Sequence, residues 1–150
     1  MQTTQTQNPA ILAPHVYASG AVGITRGQTV RCNVVNPKIP APSPGGTCSV
    51  TLSIVNSKGD VLKSESVSLK PGESRSLDLN ADSDLPPGGT RSAVHALAVV
   101  PVTAPVDEPT ARGNCPLLPT LEVVDNRSGQ TSILLEGTRI HPVSILREDQ

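Results

Sequence analysis

The stretch Cys48-Ser-Val-Thr-Leu-Ser-Ile-Val-Asn56 shows most clearly how this chain folds. Its side chains alternate between an apolar set (Cys48, Val50, Leu52, Ile54) and a polar set (Ser49, Thr51, Ser53). Successive side chains of a β-strand point to opposite faces, so this alternation predicts a strand with one face in a core and the other in water. Ser57-Lys-Gly59 follows as a hairpin turn, which predicts that the run 60–70 returns beside the first strand.

Similar runs recur along the chain at the turn spacing typical of a β-sandwich. Together they give eight predicted strands, at 16–25, 28–36, 48–56, 60–70, 74–80, 91–100, 120–125 and 131–140. Pro71-Gly72, between two of these runs, has the composition of a type II turn, in which the glycine takes a positive φ. The run 91–100 is apolar on both faces, which favours the middle of a sheet or a place covered by another element.

The composition agrees with an all-β fold. Fifteen prolines and twelve glycines would interrupt most helices, whereas they suit short strands and turns. The chain has no Trp and no Phe, and Tyr17 is its one tyrosine, so Val, Leu and Ile must build the core. Because 150 residues is the size of one domain, we expect a single β-sandwich at 15–141. An extended arm at 1–14 precedes it, and a tail at 142–150 that could form a further strand follows it.

Charge and hydropathy argue against two classes of partner. The net charge is −1, with the Lys and Arg residues scattered and almost no aromatic residue to stack on a base, so we expect no nucleic acid. We also expect no membrane span, because no apolar run approaches the roughly 20 residues that one needs. The polar start at 1–8 lacks the basic and apolar segments of a signal peptide. The sequence leaves open whether an export signal was removed or the chain is made without one.

Few residues are placed for chemistry. Asn80-Ala-Asp82-Ser-Asp84 offers alternate oxygen ligands, as calcium loops do, but Leu85 stands where such a loop needs glycine. We therefore interpret these acids as caps of turns. His95 lies within a predicted strand, and the chain has no G-x-S-x-G elbow, so we expect a structural histidine on a sheet face. With no C-x-x-C and with the histidines far apart, we predict a non-enzymatic protein without metal or cofactor.

Three motifs give the chain a resemblance to known domains. They are the strand Gly27-Gln-Thr-Val-Arg-Cys-Asn-Val-Val-Asn36, the turn Val67-Ser-Leu-Lys-Pro-Gly-Glu-Ser74 and the hairpin Leu121-Glu-Val-Val-Asp-Asn-Arg-Ser-Gly-Gln-Thr131. With these, the chain resembles immunoglobulin-like or fibronectin-like sandwiches and is similar to small bacterial domains, over roughly residues 20 to 136. The resemblance implies a fold and no activity, since its motifs describe strands and turns. The chain departs from antibody-type domains in having no buried Trp after the second strand.

The three cysteines permit one disulfide and one free thiol. In immunoglobulin-like order, the loop between the second and third strands and the loop between the sixth and seventh strands lie at one end. Cys48 closes the first of these proline-rich loops and Cys115 sits late in the second, so a Cys48–Cys115 bridge is predicted. A Cys32–Cys48 bridge and three reduced thiols remain as alternatives at this point.

Two classes of function follow from these expectations. In the first, the protein is a self-assembling structural subunit, an extracellular filament or surface-layer component joined by strand donation. The donor is the N-terminal arm with Ile11, Leu12 and Val16 as anchors, and the tail with Val143, Ile145 and Leu146 is a second sequence able to pair. In the second, the protein is a monomeric module that binds another protein through the two proline-rich loops. We expect an extracellular or cell-surface location, although a cytoplasmic one stays open.

Overall fold

The computed structural model describes residues 15–38, 46–89, 91–100 and 115–140, and every regular element within them is a β-strand. The predicted all-β class is therefore confirmed. The strands are β1 His15–Ala18, β2 Val22–Ile24, β3 Gln28–Val35, β4 Cys48–Asn56, β5 Val61–Leu69, β6 Ser74–Asn80, β7 Ser92–Val100, β8 Leu118–Asp125, β9 Thr131–Glu136 and β10 Thr138–Ile140.

The strands form two antiparallel sheets that pack as a sandwich. The first sheet has the order β10-β1-β7-β4-β5, with β2 also paired to β7, and the second has the order β6-β3-β8-β9. The doubly apolar strand β7 lies between β1 and β4, which confirms its predicted central position. The resemblance to immunoglobulin-like domains stays a prediction.

Ten strands replace the predicted eight because two of the predicted runs are interrupted. The run 16–25 breaks between β1 and β2, where the backbone N–H of Ser19 donates to Ala96 O and its hydroxyl accepts from the Ala96 N–H. The run 131–140 breaks at Gly137, where the chain passes from the second sheet to the first. A Cβ at Gly137 would lie 2.6 Å from Pro119 Cγ, so this crossing needs a glycine.

The core lies between the sheets and is built from the inward sets of the alternating strands. Val30, Cys32 and Val34 of β3 are fully or almost fully buried, as are the predicted inward residues of β4. The core is otherwise aliphatic, and Tyr17 is its one aromatic residue. Its stability therefore depends on many small dispersion contacts rather than on a few large rings.

The two ends of the sandwich differ in what joins the strands. We name loop end the end at which β1 and β4 begin and β3, β7 and β10 end, as the pairs His15–Val100 and Val16–Ile140 show. Both proline-rich connections start and finish there. We name turn end the opposite end, where Arg26-Gly27, Ser57–Gly59 and Asn126–Gly129 make short turns. The loop end is therefore the place where the longest connections and both terminal segments leave the described strands.

Candidate binding surfaces: the loop end and the open sheet edge

A disulfide fastens the loop end. Cys48, at the start of β4 in the first sheet, is bonded to Cys115, just before β8 of the second sheet, with 5.8 Å between their Cα atoms. The predicted pairing is confirmed, and the Cys32–Cys48 alternative is excluded. The bridge closes a separation of 67 residues. Restricting the unfolded chain by a loop of this size contributes on the order of 4 kcal/mol to the free energy of unfolding.

Cys32 is a free, buried thiol in β3. Burial raises the pKa of Cys32 to about 11, because the charged thiolate is disfavoured away from water. The thiol is therefore protonated at neutral pH and packs as a small apolar side chain, as its inward position in the strand predicts.

Asn36, immediately after β3, forms a second link between chain segments at the loop end. It is completely buried, and its Nδ2 donates to Leu69 O at 2.9 Å and to Gly46 O at 3.1 Å. Its backbone N–H donates to Glu73 O, and its carbonyl accepts from the N–H of Gly72. The Asn36 side chain thus joins the end of β5 to the end of the first proline-rich loop.

Tyr17 forms a third link between chain segments at the loop end. Its hydroxyl donates a buried hydrogen bond of 2.9 Å to the carbonyl oxygen of Cys115, which lies 98 residues away in the sequence. Cys115 is thereby held through its backbone as well as through its sulfur. Sequence reasoning missed both Asn36 and the Tyr17 hydroxyl. Two features of the sequence could have indicated them: Asn36 is a polar residue at the end of an alternating run, and Tyr17 is the one aromatic residue of the chain.

Apart from the three-residue β2, which pairs with β7 alone among the described strands, four strands form sheet edges, and three of these four carry a charged residue at an inward position. On β5, Lys63 and Glu65 stand in register with the buried Ile54 and Leu52. On β6, Arg75 stands in register with the buried Val34.

On β10, Arg139 stands in register with the buried Tyr17. A further strand laid on such an edge would have to cover an inward charge, which is one way in which sandwiches prevent edge-to-edge association. The edges β5, β6 and β10 are therefore protected.

The fourth edge, β9, has no such charge among its inward positions. Ile133 and Leu135 stand in register with the buried Val123 and Leu121, so both face the core side. Leu134, on the outer face, is 60% exposed, and Ile133 is 38% exposed. Within the described part of the chain β9 pairs only with β8, so its other side offers backbone hydrogen bonds between apolar side chains.

The outer face of the β4–β5 hairpin is polar, as the alternation predicts. Thr51 and Ser66 share a hydrogen bond of 2.8 Å between their hydroxyl oxygens, and Ser53 and Ser64 share one of 3.0 Å. Cross-strand hydroxyl pairs of this kind hold an edge strand to its neighbour. They stabilise β5 in the sheet without adding apolar surface to that edge.

The predicted donor residues fall mostly outside the described residues, where Ile11, Leu12, Val143, Ile145 and Leu146 all lie. Val16 lies in β1 and pairs within its own domain, with Val99 on one side and Ile140 on the other. A donor segment at the N-terminus must therefore end before His15.

The acids of 80–84 cap turns, as interpreted from the sequence. Asp84 Oδ2 accepts the Asn80 N–H at 2.8 Å, and this bond, together with Lys63, lowers the pKa of Asp84. Asp82 Oδ1 accepts the Gly27 N–H at 3.0 Å. In the described ranges, no three His, Cys, Asp or Glu residues come together to hold a metal ion. His95 lies on the outer face of β7, in register with Val55.

Comparison with known proteins gives no family for this chain. No protein-family model matches it, and neither a curated protein nor a solved structure matches it. Over the described residues, no helix has the length and apolar character to cross a bilayer. The loop end and the β9 edge are therefore the two candidate functional surfaces of the described residues.

Proposed function

We propose that this protein is a non-enzymatic structural subunit that self-assembles by β-strand addition, with β9 as the acceptor edge. The single observation that carries the proposal is the contrast between β9 and the other three edges. Its inward residues Ile133 and Leu135 are apolar, whereas Lys63, Glu65, Arg75 and Arg139 protect β5, β6 and β10. An apolar edge of six residues without such a charge is a template for pairing with another chain.

The donor is a terminal segment of a second copy. Two segments qualify, the arm with Ile11 and Leu12 and the tail with Val143, Ile145 and Leu146. An added strand gains main-chain hydrogen bonds along β9 and places alternate side chains against Ile133 and Leu135. Donation from one copy to the next is heterologous, so it continues into a filament unless the rotation closes a ring.

The disulfide supports an extracellular or cell-surface location for this assembly. Bridges such as Cys48–Cys115 persist in oxidising environments and are rare in reducing ones. The buried Cys48 also shields the bond from reductants. A subunit of an exposed filament benefits from this bond because it limits unfolding outside the cell.

The test compares two lysine substitutions of equally exposed residues. Leu134 on β9 and Val61 on β5 are both 60% exposed, so Leu134→Lys and Val61→Lys change similar surfaces on an open and on a protected edge. Losing the burial of one leucine costs roughly 1.5–3 kcal/mol, so Leu134→Lys should weaken self-association by about ten-fold or more. Val61→Lys should leave self-association unchanged.

Sedimentation velocity over a range of protein concentrations, with electron microscopy of the most concentrated samples, measures the outcome. Concentration-dependent oligomers or filaments that Leu134→Lys removes and Val61→Lys retains support the proposal. A wild-type chain that sediments as a monomer at every concentration refutes it, as does equal loss of assembly in both variants.

The alternative function is a monomeric module that binds another protein through the two proline-rich loops. The observation that favours it is the rigid base of the loop end, where the Cys48–Cys115 bridge, Asn36 and Tyr17 hold the start and end points of both loops. Loops on a rigid base lose less entropy when they bind. A strictly monomeric wild-type chain would favour this module over the filament.

A further inference from the structure

We infer that the donor strand is the C-terminal tail of a second copy, residues 141–150, lying parallel to β9 with Ile145 beside Leu134. This inference rests on the proposed function and narrows it, because it selects the tail over the N-terminal arm. It follows from the order of residues along the β9 edge and from the order of residues in the tail.

The acceptor edge presents an apolar residue and then an acid on its outer face. Leu134 lies on the outer face of β9, and Glu136 lies on the same face two residues later, where it is exposed. After Gly137 the chain leaves this sheet for β10 of the first sheet, so Glu136 is the last charged residue of the β9 edge. Glu136 forms no ion pair with another described residue. An incoming strand therefore meets an apolar position and then an acid.

The tail carries the complementary order. In a parallel strand with Ile145 beside Leu134, Arg147 stands beside Glu136 on the outer face. On the other face of the same strand, Leu146 stands beside Leu135. One register thus satisfies two apolar pairs and one opposite-charge pair, and such cross-strand neighbours are the contacts that stabilise a sheet.

The N-terminal arm does not offer this complementarity. Residues 1–14 contain no Asp, Glu, Lys or Arg, so the arm has no charged side chain to pair with Glu136. It also carries Pro9 and Pro14 on either side of Ile11 and Leu12, and each proline lacks the N–H that a paired strand donates. The tail has one proline, Pro142, and it precedes the residues 145–147 that pair in this register. Charge complementarity and the position of the proline both favour the tail.

Charge reversal in the full-length chain tests the pairing. Glu136→Lys and Arg147→Glu should each weaken self-association by about five-fold, and the double variant should recover most of that loss. Glu65→Lys, a charge reversal on the protected β5 edge, is the matched control and should have no effect. Sedimentation velocity gives the association constant for each chain.

The outcomes separate this inference from the proposed function. Recovery in the double variant supports the tail as donor. If both single variants assemble as the wild type does, while Ile11→Lys with Leu12→Lys abolishes assembly, the arm is the donor and this inference is wrong although the proposed function stands. If the single variants weaken association and the double variant shows no recovery, the stated register is wrong. A wild-type chain that never assembles overturns both.

Discussion

The loop end and the turn end of this sandwich are held together by different kinds of interaction. At the turn end, hydrogen bonds form both within and between turns: Asp125 Oδ1 accepts from the N–H groups of Arg127 and Ser128, and Asp82 Oδ1 accepts from the N–H of Gly27. At the loop end, a disulfide joins Cys48 to Cys115 and a buried hydrogen bond joins Tyr17 to Cys115. The turn at 125–129 can therefore form from its own residues, whereas the links at the loop end form only once both sheets have formed.

This difference indicates where the potential binding surfaces of the protein lie. Short turns join most strands of the turn end, with glycine at positive φ, for example Gly129 with φ 69°, and the connection 81–91 between β6 and β7 also lies there. The loop end carries the two proline-rich connections, and both terminal segments start from it. A rigid base under long segments suits recognition and assembly, and the tail and the arm both start from it.

The largest effect should come from removing the bridge at the loop end. Cys48→Ala with Cys115→Ala should lower the free energy of unfolding by about 4 kcal/mol, because the unfolded chain regains the freedom of a long loop. Urea denaturation followed by circular dichroism measures it. Cys32→Ala, which removes a buried sulfur without a bridge, is the control and should cost about 1 kcal/mol. A loss below that of the control would contradict the importance of the bridge.

A smaller loss of stability should follow from replacing one buried hydrogen-bond donor at the loop end with an acceptor. In Asn36→Asp the donor Nδ2 becomes an acceptor facing Leu69 O and Gly46 O, so two buried bonds are lost at a cost of about 2–3 kcal/mol. Asn33→Asp is the matched control, since the Asn33 side chain accepts from the Ser76 hydroxyl and an aspartate still can. Equal denaturation midpoints for the two variants would show that Asn36 does not tie the loop end.

The smallest effect is a change in how the melting temperature depends on pH, and it comes from Asp125 at the turn end. Hydrogen bonds from Ser128 and Arg127 lower the pKa of Asp125 below its ordinary value. The group therefore contributes stability above the unfolded pKa of about 3.9, and that contribution is lost as pH falls through the lower folded pKa. Asp125→Asn should reduce the fall of the melting temperature on acidification, whereas Asn126→Asp should not. Identical pH profiles for wild type and Asp125→Asn would contradict this.

The sequence predicted most strands because their patterns are local. The bounds of β4 and β6 agree with the predicted runs 48–56 and 74–80, since period-two alternation in one segment is enough to define a strand. Pro71-Gly72 was also recognised, and Gly72 takes the expected positive φ of 89°. The breaks at Ser19 and Gly137 were missed because each depends on a partner strand elsewhere, on Ala96 in one case and Pro119 in the other.

The two candidate sites, the loop end and the β9 edge, also differ in how far the sequence predicted them. The bridge was predictable because two cysteines border the two long loops, and loop order in a sandwich places them at one end. The open edge was not predictable, because the inward positions of Lys63, Arg75 and Arg139 matter only once β5, β6 and β10 are known to be edges. The residues of a strand do not indicate whether it pairs with one neighbouring strand or with two.

The sequence by itself therefore determined an all-β chain, its turns and its aliphatic core, because periodicity and turn chemistry act over short distances along the chain. It favoured the disulfide between Cys48 and Cys115 from the order of the loops, and the structure then excluded the Cys32–Cys48 alternative. Only the tertiary structure decided which strands form edges, that Asn36 and Tyr17 link chain segments at the loop end, and that β9 pairs with β8 alone among the described strands. Those features depend on pairings between residues far apart in the sequence, and such pairings are settled only when the two sheets pack together.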